Sequence, residues 1–173
     1  MPAVHGHGFV GGQPKINSIL KLENKTVQAN FMNELKKQFD KYQDKKPSQL
    51  IKLMFHGSGH GAPPKQIYES EEGLDIRFAR AGMYGTGIYF ADNSQYSHSY
   101  AYREGGTFQM FVCFVLPGHS AYNPPERSSL RIPPLIGKST VDRFDSVTNA
   151  DRSHTILYSN GKAYPAYLIN YSL

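Results

Sequence analysis

The chain has 173 residues, 39% of them hydrophobic, which is enough to bury a proper core and fits one globular domain. Its single cysteine, Cys113, excludes an intramolecular disulfide and a multi-cysteine zinc site, and no apolar run reaches the length of a membrane span or of a secretory leader's core. The formal charge of +5 and pI near 9.2 suit phosphate-bearing ligands or nucleic acid without favouring them, because the lysines gather between Lys15 and Lys52 and read as a solvated helix face. A reducing, intracellular setting and no membrane partner are expected.

Residues 1–14 are glycine-rich and without periodicity, and read as a flexible arm; His5 and His7 within it are a poor metal site. Ile16–Leu22 is expected as a first strand. Thr26 to about Tyr42 follows as an amphipathic helix, capped by Thr26, with Val27, Phe31, Leu35 and Phe39 at i+4 steps on its core face. Leu50–Phe55 reads as a strand running into a His-Gly-Ser-Gly-His-Gly segment. Pro63 and Pro64 then suit the start of a helix that ends before Gly73, and Leu74–Ala81 reads as a loop.

Gly82–Tyr100, GMYGTGIYFADNSQYSHSY, organises the rest. Its glycines let backbone approach a ligand closely, Ile88–Phe90 is strand-like, and a helix starts at Asp92-Asn93 with Tyr96, Ser97 and Tyr100 on one side. Such a glycine floor, with a tyrosine at a strand end and a hydroxyl beside a second ring, suits a flat heterocycle that carries an amide. Gln109–Leu116 is nearly all apolar and reads as a central strand covered on both faces, with Cys113 buried in it. Tyr122–Pro134 reads as an irregular loop. Three strands then finish the chain, near Ser146-Val147, over Thr155–Tyr158 and over Tyr164–Tyr171, with Asn160-Gly161 expected to make the last two a hairpin. Helices early and strands late favour α+β.

Rival chemistries fit poorly. Gly57-x-Gly59-x-x-Ala62 after a strand matches the dinucleotide fingerprint, with Asp75 at about the distance of its ribose-binding acid. The repeated βα units are missing, however, and the paired prolines impoverish the helix terminus in N–H groups. There is no GxSxG elbow and no HExxH, and His56 and His60, flanked by glycines and prolines, do not suit a helical metal pair.

Phe55-His56-Gly57-Ser58, then GMYGTGIYFADNS with Ser97 and Tyr100, then AYPAYLINY, together resemble the catalytic domain of the poly(ADP-ribose) polymerase family, tankyrases and mono-ADP-ribosylating members above all. The resemblance covers about residues 16–171, with residues 15–173 as the catalytic domain. It implies a split, mainly antiparallel β core of the diphtheria-toxin-like type with flanking helices, and NAD+ as substrate in a cleft. It further implies that His56 bonds the adenine-side ribose, that the Gly57 backbone and the Ser97 hydroxyl bond the nicotinamide carboxamide, and that Tyr100 stacks on the ring with Tyr89 closing the other side. Ser58 would touch the adenosine half, and residues 75–80 would form the loop over the donor. Each also has a plainer reading: Tyr89 as sheet packing, Ser97 as a solvated hydroxyl, His56 as a satisfied strand-end histidine.

His154 stands where the polymerising members carry a catalytic glutamate and the mono-ADP-ribosylating ones an apolar residue. A carboxylate there stabilises the oxocarbenium-like transition state and polarises the hydroxyl of a growing chain; neutral imidazole accepts one hydrogen bond, and imidazolium opposes the developing charge. No chain elongation is therefore expected. Nor does Arg103–Met110 offer ligands for the zinc site that tankyrase-like members carry, so no metal is expected. The all-helical regulatory domain that precedes some members has no counterpart in these residues, so the pocket is expected to be open to NAD+. Three readings stay open: a mono-ADP-ribosyltransferase acting on protein side chains, an NAD+ or ADP-ribose binding module without catalysis, and transfer to nucleic acid ends, which the charge permits but does not favour.

Overall fold

The computed structural model describes residue 9 and residues 12–173. His5 and His7, and most of the arm expected over 1–14, lie outside the described residues.

Strands are β1 (Lys15–Lys21), β2 (Lys52–His56), β3 (Ala81–Gly82), β4 (Gly85–Thr86), β5 (Ile88–Ala91), β6 (Tyr102–Glu104), β7 (Thr107–Val115), β8 (Ser120–Tyr122), β9 (Ser146–Thr148), β10 (His154–Leu157) and β11 (Ala163–Ser172). Helices are α1 (Lys25–Lys41), α2 (Pro47–Leu50), α3 (Pro64–Tyr68) and α4 (Ser94–His98), with 3-10 turns at Ile76–Phe78 and Arg127–Ser129. Nine strands form one sheet in the order β1-β11-β7-β2-β5-β10-β9-β8, with β6 beside β7, and only the β8–β9 pair is parallel. The α+β, mainly antiparallel fold expected from the sequence is the one observed. No helix among the described residues is long and apolar enough to cross a membrane.

The split is a feature of pairing. β2 lies along β7 over five consecutive residues, and β5 lies along β10 over four, but β2 and β5 meet at one pair, Phe55 with Ala91. Beyond that pair the halves diverge and a cleft of about 1560 Å³ opens, above the roughly 300–1,000 Å³ of most small-molecule sites. Phe90, Phe111, Cys113, Val115 and Leu157 pack the core shared by both halves.

Several boundaries differ from the sequence expectation, each for a physical reason. Asn24, not Thr26, caps α1: its Oδ1 accepts from Val27 N at 3.1 Å, and its amide donates to the carbonyls of Tyr68 and Ser70 at 3.0 and 2.8 Å, which ties the cap to the end of α3. Val27, Phe31 and Leu35 are buried as expected, but Phe39 is 42% exposed. Each i+4 step advances about 40° beyond a full turn, so a stripe written only in such steps walks off the core face; Gln38 takes the buried position and donates to Leu116 O at 3.3 Å. Leu50 closes the short helix α2 rather than starting a strand, because Pro47 begins that turn. Asn160-Gly161 does not close a hairpin. Both edges of β10 are taken by β5 and β9, so the chain crosses at that turn to β11, between β1 and β7 in the other half. The dinucleotide fingerprint falls on an antiparallel strand followed by a five-residue helix, which excludes a βαβ unit.

Candidate active site

His56, Gly57, Ser58, Tyr89, Ser97, Tyr100 and His154, the residues singled out from sequence, all line the one cleft. They come from three places: the end of β2, the β5–α4 segment, and the start of β10.

His56 is the last residue of β2. Its Nδ1 lies 2.7 Å from the Tyr89 carbonyl oxygen, which can only accept, so Nδ1 carries the proton and Nε2 keeps the lone pair. Packing against Phe90 and Phe111 removes water from the ring and lowers its pKa, which keeps it neutral. A neutral imidazole fixed this way offers one acceptor, the group that a ribose hydroxyl needs.

Gly57 follows because nothing larger fits. A Cβ there would sit 2.5 Å from Ser97 O and 2.7 Å from Tyr100 O, so the strand end presses on the backbone that closes α4. Gly59 N donates to Tyr100 O at 2.7 Å and seals this contact. α4 is a five-residue helix capped by the Asn93 side chain on Tyr96 N, and it carries Ser97 and leads into Tyr100. Ser97 is 3% exposed and Tyr100 50%, so the hydroxyl sits deep in the cleft and the ring stands at its mouth. The Ser58 hydroxyl, by contrast, already donates to Ala62 O at 2.7 Å and retains only acceptor capacity toward a ligand.

Tyr89 is fixed at both sides. Its hydroxyl donates to Gly85 O at 2.8 Å and accepts from Tyr84 N at 2.9 Å, while the bare Gly82 lies against the ring, where a Cβ would fall 2.6 Å from the hydroxyl. The glycines expected to let backbone approach a ligand therefore serve contacts within the protein: Gly82 meets Tyr89, Gly85 meets the Leu130 backbone and Gly87 meets Ile156. Gly82 and Gly87 also line the cleft, and Gly82 sets the pose of Tyr89.

His154 opens β10 opposite Ala91, two strands from the end of β2. Its hydrogen bonds fix its tautomer. Asn149 Oδ1 accepts from the His154 backbone N–H at 2.8 Å, which orients the amide, so Asn149 Nδ2 must be the group 3.0 Å from His154 Nδ1. An amide nitrogen only donates; Nδ1 is therefore the acceptor and Nε2 bears the proton. Burial lowers the pKa of the ring, against the weaker pull of Asp151 and Asp92, so it is neutral at physiological pH. Tyr96 lies 3.9 Å from it, centroid to centroid, and 5.3 Å from Tyr100 on its other side. The two histidines thus present opposite faces to the cleft: His56 an acceptor, His154 a donor.

Sequence reasoning missed Asn149 and gave Tyr96 no role in the site. The signal for Asn149 was an Asn-Ala-Asp-Arg-Ser turn just before the strand, in which Asn and Asp side chains satisfy nearby backbone. The loop over residues 75–80 does border the cleft. Asp75 accepts from Arg77, whose guanidinium holds the carboxyl down to about 2, and Asn160 Oδ1 accepts from Ile76 N at 2.8 Å. Among the described residues no group of His, Cys, Asp and Glu side chains is gathered to hold a metal ion.

The chain is similar to known proteins of one family. The family profile described as poly(ADP-ribose) polymerase catalytic domain matches residues 12–173. The chain is similar to a Dictyostelium discoideum protein named "Probable poly [ADP-ribose] polymerase", 38% identical over 160 residues, which covers 91% of this chain and 44% of that protein. It is similar also to the mouse protein mono-ADP-ribosyltransferase PARP12, 35% identical over 91 residues, covering 51% of this chain and 12% of the relative. Human protein mono-ADP-ribosyltransferase PARP14 is 28% identical over 174 residues, covering 91% of this chain and 9% of its own length. The chain thus spans less than half the length of these relatives.

Proposed function

The chain belongs to the poly(ADP-ribose) polymerase catalytic-domain family, and on that premise we propose that residues 15–173 form an intracellular ADP-ribosyltransferase domain that takes NAD+ and transfers a single ADP-ribose to a protein side chain. The observation that carries the single-unit reading is the His154 tautomer. Extending a chain requires an acceptor that draws the proton of an incoming ribose hydroxyl. Nε2–H of His154 donates and has no lone pair to offer.

In this reading the glycosidic bond between the nicotinamide ring nitrogen and ribose C1′ breaks, and its electron pair stays on nitrogen, which turns the cationic pyridinium into neutral nicotinamide. The C1′–O bond forms from the acceptor. A carboxylate acceptor enters already ionised, so the exchange balances with no proton to remove, and a site without a base suffices. His154 Nε2–H can then donate to the incoming carboxylate and hold it near C1′. The Gly57 backbone and the Ser97 hydroxyl supply the donor and acceptor that a carboxamide needs, with Tyr100 and Tyr89 as the walls of the ring. His56 Nε2 accepts from the adenine-side ribose, which leaves Ser58 as an acceptor toward the same half.

The test is incubation with labelled NAD+ followed by gel separation and mass spectrometry of the products. One ADP-ribose per modified aspartate or glutamate, with stoichiometric nicotinamide release, is expected; ladders of longer products would refute the reading. NAD+ binding without any nicotinamide release would point to the non-catalytic module instead.

A further inference from the structure

A second cavity, of about 530 Å³, is bordered by Lys45, Lys52, His119, Tyr122, Phe144 and Arg152. On β10 alternation separates the two sites: His154 lines the cleft, and its neighbour Thr155, with Thr148 paired to it on β9, lines the cavity. Three features distinguish this cavity from ordinary surface.

First, its charged lining is of one sign. No aspartate or glutamate lines it, and Lys45, Lys52 and Arg152 form no salt bridge among the described residues. Asp145, between Phe144 and the His119 backbone at the cavity wall, is already engaged: it accepts from Lys41, from the Tyr42 hydroxyl and from His119 N, and these partners hold its pKa below the usual range. Second, Tyr122 stands 55% exposed at the rim with the Arg152 guanidinium 4.9 Å from its ring centre, a paired aromatic and cationic platform. Third, the platform is fixed. Tyr122 OH donates to Ala150 O at 2.8 Å, and Arg152 is held at φ 63°, in the left-handed region that a side chain of its size seldom adopts, within the same turn that carries Asn149.

Arg152 lies over the Tyr122 ring and Lys45 over the Tyr42 ring, but neither they nor Lys52 has a carboxylate partner, so the concavity favours an anion. A bare phosphate would use the charges and ignore the ring; an acidic peptide likewise. A nucleotide strand uses both, phosphates on the cations and a base against the Tyr122–Arg152 platform. We propose that this cavity binds single-stranded nucleic acid. The proposal is independent of whether the cleft transfers one ADP-ribose or many.

The experiment is fluorescence anisotropy with a labelled 12-nucleotide oligoadenylate and the parent protein, the double variant Lys45→Glu/Lys52→Glu, and Tyr122→Ala. With three phosphates neutralised at a slope of about −0.7 each for single strands, affinity for the parent should fall roughly twentyfold between 50 and 200 mM salt. The double charge reversal should weaken binding more than tenfold and flatten that slope, and Tyr122→Ala should weaken it about five- to tenfold with the slope unchanged. Thermal melts and NAD+ binding in the cleft should match the parent, which separates loss of the cavity from loss of the fold. No binding by the parent, equal binding by the charge-reversed variant, or equally tight binding of a poly-glutamate peptide would overturn the proposal. ADP competing as tightly as the oligonucleotide would also overturn it, by reducing the occupant to a free nucleotide.

Discussion

Asn149→Asp should invert the chemistry of His154. In the parent, the Nδ1–H tautomer would set two donors against each other at 3.0 Å, Asn149 Nδ2–H and His154 Nδ1–H. Leaving such a donor without an acceptor costs about 1–3 kcal/mol, so the Nδ1–H form is held to between roughly one part in six and one part in 150. The introduced carboxylate can still accept from the His154 backbone N–H through one oxygen, while its other oxygen now faces Nδ1 and accepts only. A charge-assisted bond of this kind contributes about 1.5–3 kcal/mol, which moves the proton to Nδ1, frees the Nε2 lone pair of the neutral ring toward the cleft, and raises the imidazole pKa. Both partners are half-buried, so the lower end of each range applies. Nitrogen-15 NMR of labelled histidine reads the tautomer directly. The parent should show protonated Nε2 and a pKa below the usual 6.5, and the variant protonated Nδ1 and a pKa higher than the parent's. A parent spectrum with protonated Nδ1 would refute the reasoning, whatever the variant does.

Other perturbations test the pocket and its support. Tyr100→Ala removes a half-exposed ring proposed to stack on nicotinamide and should weaken nicotinamide binding by calorimetry roughly three- to tenfold; an unchanged affinity would count against that wall. Gly57→Ala places a methyl 2.5 Å from Ser97 O, against backbone that cannot swing away, so α4 must shift. A loss of about 1–3 kcal/mol and a melting temperature roughly 2–10 °C lower are expected, with NAD+ binding impaired, and a variant as stable as the parent would refute the close approach. Between pH 7.5 and 5 the melting temperature should fall. Burial holds the folded pKa of His56, His98 and His154 below the usual 6.5, so the unfolded chain binds more protons in that window, and stability drops as pH falls through 6.5. A melting temperature that rises on acidification would contradict those environments.

Elements whose period or punctuation matched their burial were legible in the sequence. β7 is a run of apolar residues because both its faces are covered, Phe111, Cys113 and Val115 packing into one cluster and Met110 and Phe114 into others on the alternate face, and α4 begins after Asn93 because that side chain caps it. Topology was less legible. Asn160-Gly161 is the chemistry of a tight turn, and a tight turn does stand there, but pairing depends on which edges are free, and β10 had none. The glycines of Gly82–Tyr100 were read as ligand-facing, and Gly82 and Gly87 do line the cleft, but sequence reports the missing Cβ and not what lies beyond it. What lies beyond is Tyr89, the Leu130 backbone and Ile156. At the candidate site, the residue types at His56, Gly57, Ser97 and Tyr100 were legible, whereas the role of His154 was not. An imidazole is an acceptor or a donor according to its partner, and that partner, Asn149, is named by a hydrogen bond and by no motif.

The single pair Phe55–Ala91 explains how the pocket and its chemistry can be set separately. The groups suited to a carboxamide and its ring lie at the end of β2 and on the segment from Tyr89 to Tyr100, bound together by the Gly59–Tyr100 hydrogen bond and by the contact of Gly57 with α4. His154 enters from β10, and its polar contacts run to Asn149 and the β9–β10 turn, not to His56, Gly57 or Ser97. Its link to the ring wall is Tyr96, which lies between it and Tyr100. Under the proposed function, exchanging the residue at 154 should therefore change what the cleft donates or accepts at the reacting carbon and leave the proposed carboxamide clamp in place. His154→Glu should keep nicotinamide affinity within about twofold of the parent while changing the rate of nicotinamide release, an affinity-against-rate split read by calorimetry and by release assays on the same preparation. A variant that loses affinity as much as rate would mean that the two halves are coupled through Tyr96 more tightly than their hydrogen bonds imply.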